Sequence, residues 1–196
     1  TLFRSKKLGY DVVMTRYEQP SGTLRCAEVL SQFPMVTHVV NVQGDEPLID
    51  PQMIDFLATN MIEQTGLKVA TLIRRIEDAA DLSNPNVVKV VINRNNEAMY
   101  FSRQAIPFVR DFPVDSWLEH GVYYKHVGMY AYTSQALMAI EKLHMHPYEA
   151  LEKLEQLTWI AHGLSIECYE TNMESIGIDT EEDLKAVTSM IAELED

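Results

Sequence analysis

The stretch Val39-Val40-Asn41-Val42-Gln43-Gly44-Asp45-Glu46-Pro47 constrains the fold of this chain more than any other. A short β-branched run meets a glycine, two acids and a proline. Residues 39–42 read as a buried strand, stopped abruptly by Gly44 and Pro47. In an open α/β sheet, ligands gather just beyond the carboxyl ends of strands. Asp45 and Glu46 therefore stand where a ligand would sit. Asp45 is a hard oxygen donor, suited to Mg²⁺ held together with a nucleotide phosphate. The alternative is a turn that uses Asp for its local hydrogen bonds, and spacing alone leaves both open.

The 196 residues can bury one substantial core, and a hydrophobic share of 46% marks a globular chain. The expectation is a single domain over residues 1–196. A net charge of −13 argues against binding a nucleic-acid backbone. A free nucleotide stays open, because a metal can offset its charge locally. Cys26 and Cys168 show no metal-ligand spacing. They fit a reducing cytoplasm and read as small core residues. No apolar run approaches a membrane span, and residues 1–7 lack the apolar centre of a signal peptide. The chain starts without Met, so a processed product or a fragment is expected.

Strands and helices alternate along the chain. Residues 1–9 finish a helix closed by Gly9, and residues 10–14 read as a strand. Ser21 or Thr23 caps the next helix, which is either a plain helix start or exposed N–H groups near a nucleotide. Asp50 and Pro51 start a helix to about residue 64. Strands are expected at 68–73, 87–92 and 97–102, with a short helix at 76–82. Residues 93–96 turn the last two strands into a hairpin, and an aperiodic loop follows to residue 120. In the strand at 123–133, alternation sets His126, Gly128, Tyr130 and Tyr132 on one face. Ser134 caps a helix to about residue 143. His144-Met145-His146 reads as a solvated connection. A helix over 149–161 carries Glu155 and Gln156, whose default is solvent exposure. A strand at 165–169 and a last helix follow, with Thr180 and Asp183 resembling a capping box. Asp179, just before it, is a second metal candidate or an acid favoured by the helix dipole. The pattern predicts an α/β fold with a mostly parallel, Rossmann-like sheet sandwiched by helices, and an antiparallel excursion at 87–133.

Taken together, Ser21-Gly22-Thr23, the 41–47 stretch, Tyr100-Phe101-Ser102-Arg103, His126-Val127-Gly128-Met129-Tyr130, Leu154-Glu155-Gln156-Leu157 and Gly177-Ile178-Asp179-Thr180 resemble the 3-deoxy-manno-octulosonate (KDO) cytidylyltransferases. They occur in the family's order over nearly the whole chain. The resemblance implies a nucleotidyltransferase sheet whose excursion forms a sugar and dimer lobe. It implies transfer of CMP from CTP to KDO, with release of pyrophosphate, for lipopolysaccharide synthesis. Mg²⁺ is the implied cofactor, held by Asp45 and Asp179 as the catalytic acids. Gln43, Arg103, Arg110, His126, Tyr130, Glu155 and Gln156 would bind the sugar acid, and Ser21, Gly22 and Thr23 would lie at the nucleotide. A cytoplasmic homodimer is implied.

The chain also departs from the family. It begins after the family's glycine-containing, phosphate-holding loop, so it is expected to be incomplete at its N-terminus. Gln19 and Leu24 replace a His and an acid, and Thr158 replaces an Arg. If positions 24 and 158 pair, the two changes are one compensated event. Alternative readings are an inactive homologue or fragment that binds sugar or dimerises, and a transferase for a related acid sugar such as 8-amino-KDO.

Overall fold

A ten-residue strand, Tyr124–Thr133 (β5), is the spine of the sheet in the computed structural model, which describes residues 2–173, 177–178 and 181–194. One edge of β5 pairs along its length with Val69–Arg75 (β2). The other edge takes His38–Asn41 (β1) towards its C-terminal end and Lys89–Ile92 (β3) at its N-terminal end. Ala98–Ser102 (β4) pairs with β3, and Glu167–Glu170 (β6) pairs with β2.

The α/β sheet flanked by helices is as expected, but a mostly parallel pairing is not. Among the described ladders only β2 with β6 is parallel. The registers make β1, β2, β3 and β6 run one way, while β5 runs against them. Because β5 lies between β2 on one side and β1 and β3 on the other, same-direction strands are separated by a reversed one. Hydrophobic pattern reveals a buried strand but not its direction.

The helices cover both faces. Leu2–Lys7 (α1) closes at Gly9, whose φ is +83°. Gly22–Leu30 (α2) is capped by Ser21, which accepts from the Leu24 N–H at 3.2 Å. Pro51–Glu63 (α3) starts as expected, with Asp50 accepting from the Gln52 N–H and Pro51 in the first turn. Met53, Leu57 and Met61 of α3 are at most 2% exposed and pack on Leu72, Met129 and Ala131. Each such burial is worth about 1.5–3 kcal/mol, against about 1 kcal/mol for a cap, so the apolar face fixes α3. The opposite face of the sheet packs Tyr130 and Tyr132 against Ala27, Leu137 and Trp159.

Further elements correct the sequence reading. Residues 10–14 form no strand, because extended backbone without a laddered neighbour is not one. Ala79–Ser83 (α4) starts late, since Asp78 caps it. The aperiodic loop holds a 3₁₀ turn, Val114–Glu119, whose Trp117 is buried against Tyr123. Thr133, not Ser134, caps Ser134–Ile140 (α5); the Ser134 hydroxyl donates instead to the Val36 carbonyl. His146 caps Pro147–Glu152 (α6), accepting from the Tyr148 N–H. The single helix expected over 149–161 is two, α6 and Gln156–Ala161 (α7), broken at Lys153 with a φ of 55°. Left-handed backbone is uncommon at a lysine but common at a helix end, and the Lys153 N–H closes α6 on the Glu149 carbonyl. Glu181–Leu194 (α8) ends the described chain, and the expected cap at Thr180 lies outside the described residues. Among the described residues no helix is long and apolar enough to cross a membrane.

Candidate functional site

Side-chain alternation along β5 survives an irregularity that shapes the site. Thr71 of β2 pairs with Tyr130 and Leu72 with Val127, so Gly128 and Met129 bulge from the ladder. A bulge bends a strand and re-aims its side chains. His126 and Tyr130 remain on one face, their ring centroids 5.1 Å apart, while Met129 packs on the α3 side. His126, Gly128 and Tyr130 form one wall of a cavity of about 290 Å³.

Three further segments complete that cavity. The loop after β1 contributes Gln43, Asp45 and Glu46. Asp45 is exposed, and its carbonyl accepts from the Ile178 N–H at 2.9 Å, which brings Gly177 to the cavity as well. Asp179 lies outside the described residues. Gly128 allows the loop to approach: a Cβ there would sit 3.0 Å from Glu46 Oε1. The break between α6 and α7 contributes Lys153, Glu155 and Gln156. Gln156 is only 4% exposed, contrary to the expected solvent exposure.

Glu155 is tied to the start of α2. Thr23 Oγ1 donates to its carboxylate at 2.8 Å, and Tyr132 Oη lies 3.2 Å from the same Thr23 oxygen. Thr23 has one proton, so with Glu155 ionised Tyr132 donates to Thr23. Burial raises the Glu155 pKa, hydrogen bonds from Thr23 and Ser21 pull it down, and Glu149 pushes it up. Among the described residues the Tyr130 hydroxyl is buried without a hydrogen-bond partner, and burial holds its pKa well above the ordinary value. His126 is half-buried against Phe101 and Tyr130, and burial lowers its pKa to about 3.

The structure thus brings together Gln43, Asp45, His126, Tyr130, Glu155 and Gln156, with Thr23 behind Glu155. It does not bring Arg103 or Arg110 into the lining of the cavity. The Arg103 guanidinium donates to the backbone carbonyls of Glu152 and Pro85, and its N–H donates to the Glu152 carboxylate. Arg110 is 90% exposed and pairs with Asp111. Gly22 lies where a Cβ would be 3.5–3.6 Å from Asn41 and Gln43, an ordinary contact. Ser21 lines a neighbouring cavity of about 540 Å³ that also holds Leu24, Glu149 and Thr158 and shares Glu155. The two departures at 24 and 158 therefore face one space. There Thr158 Oγ1 donates to the Glu149 carboxylate and accepts from the His146 N–H. Lys153 is the lining residue that sequence reading missed; it directly precedes the Leu154-Glu155-Gln156 run, but its left-handed backbone leaves no local signature. A larger cavity, about 650 Å³, is lined by Lys68, Glu97, His162 and Glu167 and collects none of the expected site residues.

Among the described residues no group of three or more His, Cys, Asp or Glu could hold a metal. Mg²⁺ commonly needs only one or two carboxylates beside substrate phosphates, and Asp45 fits that demand.

An α/β sheet with a polar cavity beyond the end of β1 is an arrangement suited to a small polar ligand. A family profile described as Cytidylyltransferase matches residues 4–173, and the chain belongs to that family. It is 45% identical to the 3-deoxy-manno-octulosonate cytidylyltransferase of Cytophaga hutchinsonii over 184 residues, 93% of this chain and 73% of the relative. The enzyme of the same name from Parabacteroides distasonis is 42% identical over 192 residues, 95% of this chain and 76% of the relative. The solved structure of CMP:2-keto-3-deoxy-manno-octonic acid synthetase complexed with CTP is similar with a TM-score of 0.86 and 36% identity, covering 96% of this chain and 75% of that one. HddC from Yersinia pseudotuberculosis, at 11% identity and a TM-score of 0.63, shares the fold.

Proposed function

We infer that this chain is a 3-deoxy-manno-octulosonate cytidylyltransferase, transferring CMP from CTP to KDO with release of pyrophosphate. The observation that carries this reading is the cavity itself. Four segments distant in sequence meet there and unite an exposed acid, Asp45, with His126, Tyr130, Glu155 and Gln156. The relatives' similarity over most of their length points the same way.

The sugar hydroxyl must be held in line with the α-phosphorus of CTP. Gln43, Tyr130 and Gln156 offer hydrogen-bonding groups that suit sugar hydroxyls, and Lys153 offers the cavity a positive charge for the sugar carboxylate. Asp45, with Asp179, would hold Mg²⁺, which when bound neutralises charge on phosphoryl oxygens and pyrophosphate. The reaction needs no protein nucleophile. Burial pushes the Cys168 thiol up to about 12, in keeping with an inert core residue. The exposed Met99, Phe108, Phe112 and Val122, in or beside the antiparallel excursion, support a homodimer. The product would serve lipopolysaccharide assembly from the cytoplasm.

Pyrophosphate release by the purified chain with CTP, KDO and Mg²⁺ tests the reading. Release that disappears in Asp45→Ala is the expected result. The same rate in Asp45→Ala as in the unchanged chain would reject the assigned site, and no release by the unchanged chain would reject the activity.

A further inference from the structure

Three polar atoms compete for one proton beneath the cavity. Thr71 is fully buried on β2, opposite the bulge in β5. Its Oγ1 lies 2.7 Å from the Met129 carbonyl oxygen, 3.4 Å from the Val127 carbonyl oxygen and 2.9 Å from His126 Nε2. A hydroxyl has one proton and two lone pairs. Two oxygens 2.7 Å apart without a proton between them repel, so the Thr71 hydroxyl must donate to Met129. Only lone pairs are then left for His126, and Nε2 must carry the hydrogen that joins them.

The other ring nitrogen follows by elimination. The low pKa set by burial keeps the imidazole neutral near pH 7, so a hydrogen on Nε2 leaves Nδ1 bare. Among the described residues Nδ1 makes no hydrogen bond, and the ring lines the cavity. Beside it stands the Tyr130 hydroxyl, buried and also without a hydrogen-bond partner among the described residues. Unsatisfied polar atoms at a cavity wall mark where a ligand supplies the missing bonds.

We propose that Thr71 is a positioning residue that holds His126 as the Nε2–H tautomer, so that Nδ1 accepts a hydrogen bond from a hydroxyl of the sugar acid. The ligand half rests on the cytidylyltransferase reading, whereas the tautomer half does not. An acceptor at this position demands a donor: a ligand presenting a carbonyl or ether oxygen to Nδ1 would be rejected.

The test uses the full chain labelled with ¹⁵N-histidine, with His126 assigned by its disappearance in His126→Gln. Two-bond ¹H–¹⁵N correlation near neutral pH is expected to show a protonated Nε2 and an unprotonated Nδ1. A protonated Nδ1 overturns the proposal. On titration with KDO, the Nδ1 resonance should move more than Nε2. In Thr71→Val, which keeps shape but loses the hydroxyl, the ring should populate both tautomers and KDO should bind about tenfold more weakly, the worth of one hydrogen bond. Thr71→Ser should restore both within about twofold. Wild-type tautomer and affinity in Thr71→Val would reject the role of Thr71. If Thr71→Val does not fold, the unchanged protein and Thr71→Ser still decide, since a Nδ1–H tautomer in either refutes the argument. The stated tautomer with no response to KDO would overturn the sugar contact and the proposed function together, and leave the Thr71–His126 arrangement standing.

Discussion

On one wall of the cavity His126, Tyr130 and Gln156 sit on or against regular elements, and Thr71 holds the His126 ring. On the other wall Asp45 is exposed, on the loop after β1, and its carbonyl accepts from the Ile178 N–H. The first wall is built on the sheet and helices; the second is a loop that presents an exposed acid. A wall built on regular elements suits reading the shape and hydroxyls of a sugar acid, because ordering costs are met before binding. An open acid suits an ion and phosphates that arrive together. Substitutions on the first wall should therefore show in sugar affinity, and those on the loop in turnover.

The largest effect tests the open wall. Asp45→Ala should lower pyrophosphate release roughly a hundredfold or more while the stability read from urea unfolding stays within about 0.5 kcal/mol of the unchanged chain. A loss of stability instead would make the loop a structural element and erase the contrast.

Tyr130→Phe probes the first wall. Removing a buried hydroxyl that has no partner among the described residues should leave stability unchanged or raise it by about 1 kcal/mol, since an unsatisfied polar group no longer stays buried. KDO binding, read by calorimetry, should weaken about tenfold. A less stable variant would show that the hydroxyl is bonded within the protein.

A pH series sharpens the comparison further. The folded pKa of His126, about 3, lies below the usual value near 6.5 of an unfolded chain. The unfolded chain therefore binds the proton first, and stability present above pH 6.5 falls as pH drops towards 3. A full proton corresponds to about 2 kcal/mol between pH 6.5 and 5, and water at the cavity edge of the ring brings the expected loss nearer 1 kcal/mol. In His126→Gln the urea midpoint should lose that part of its pH slope; an unchanged slope would place the titration elsewhere.

The smallest effect concerns the neighbouring cavity, where Leu24 and Thr158 face the same space. Leu24→Asp with Thr158→Arg should be more stable than the two single changes predict, by about 0.5–1 kcal/mol in a double-mutant cycle. Additive changes would mean that the two positions do not pair.

Local chemistry made much of this legible. Asp50 before Pro51 announces a helix start, and Gly9 a helix end, because caps and turns depend on neighbours in sequence. Alternation along β5 places His126 and Tyr130 on one face, because a strand repeats every second residue. The positions of Asp45, Glu155 and Gln156 as candidates were readable from motifs, but their meeting was not. Glu155 reaches the cavity because the chain breaks at Lys153, and its partner Thr23 is 132 residues away. Lys153 has no sequence mark for that break, since left-handed helix ends are usually marked by glycine or asparagine.

The sequence by itself determined most of the strand and helix segments, the shared face of His126 and Tyr130 on β5 and which side chains carry charge, since these follow from short-range periodicity and propensity. Tertiary structure alone decided that β5 runs against β1, β2 and β3, that Arg103 serves backbone carbonyls instead of lining the cavity, and which nitrogen of His126 holds the hydrogen. Each of these is settled by hydrogen bonds between atoms far apart along the chain, where no local rule reaches.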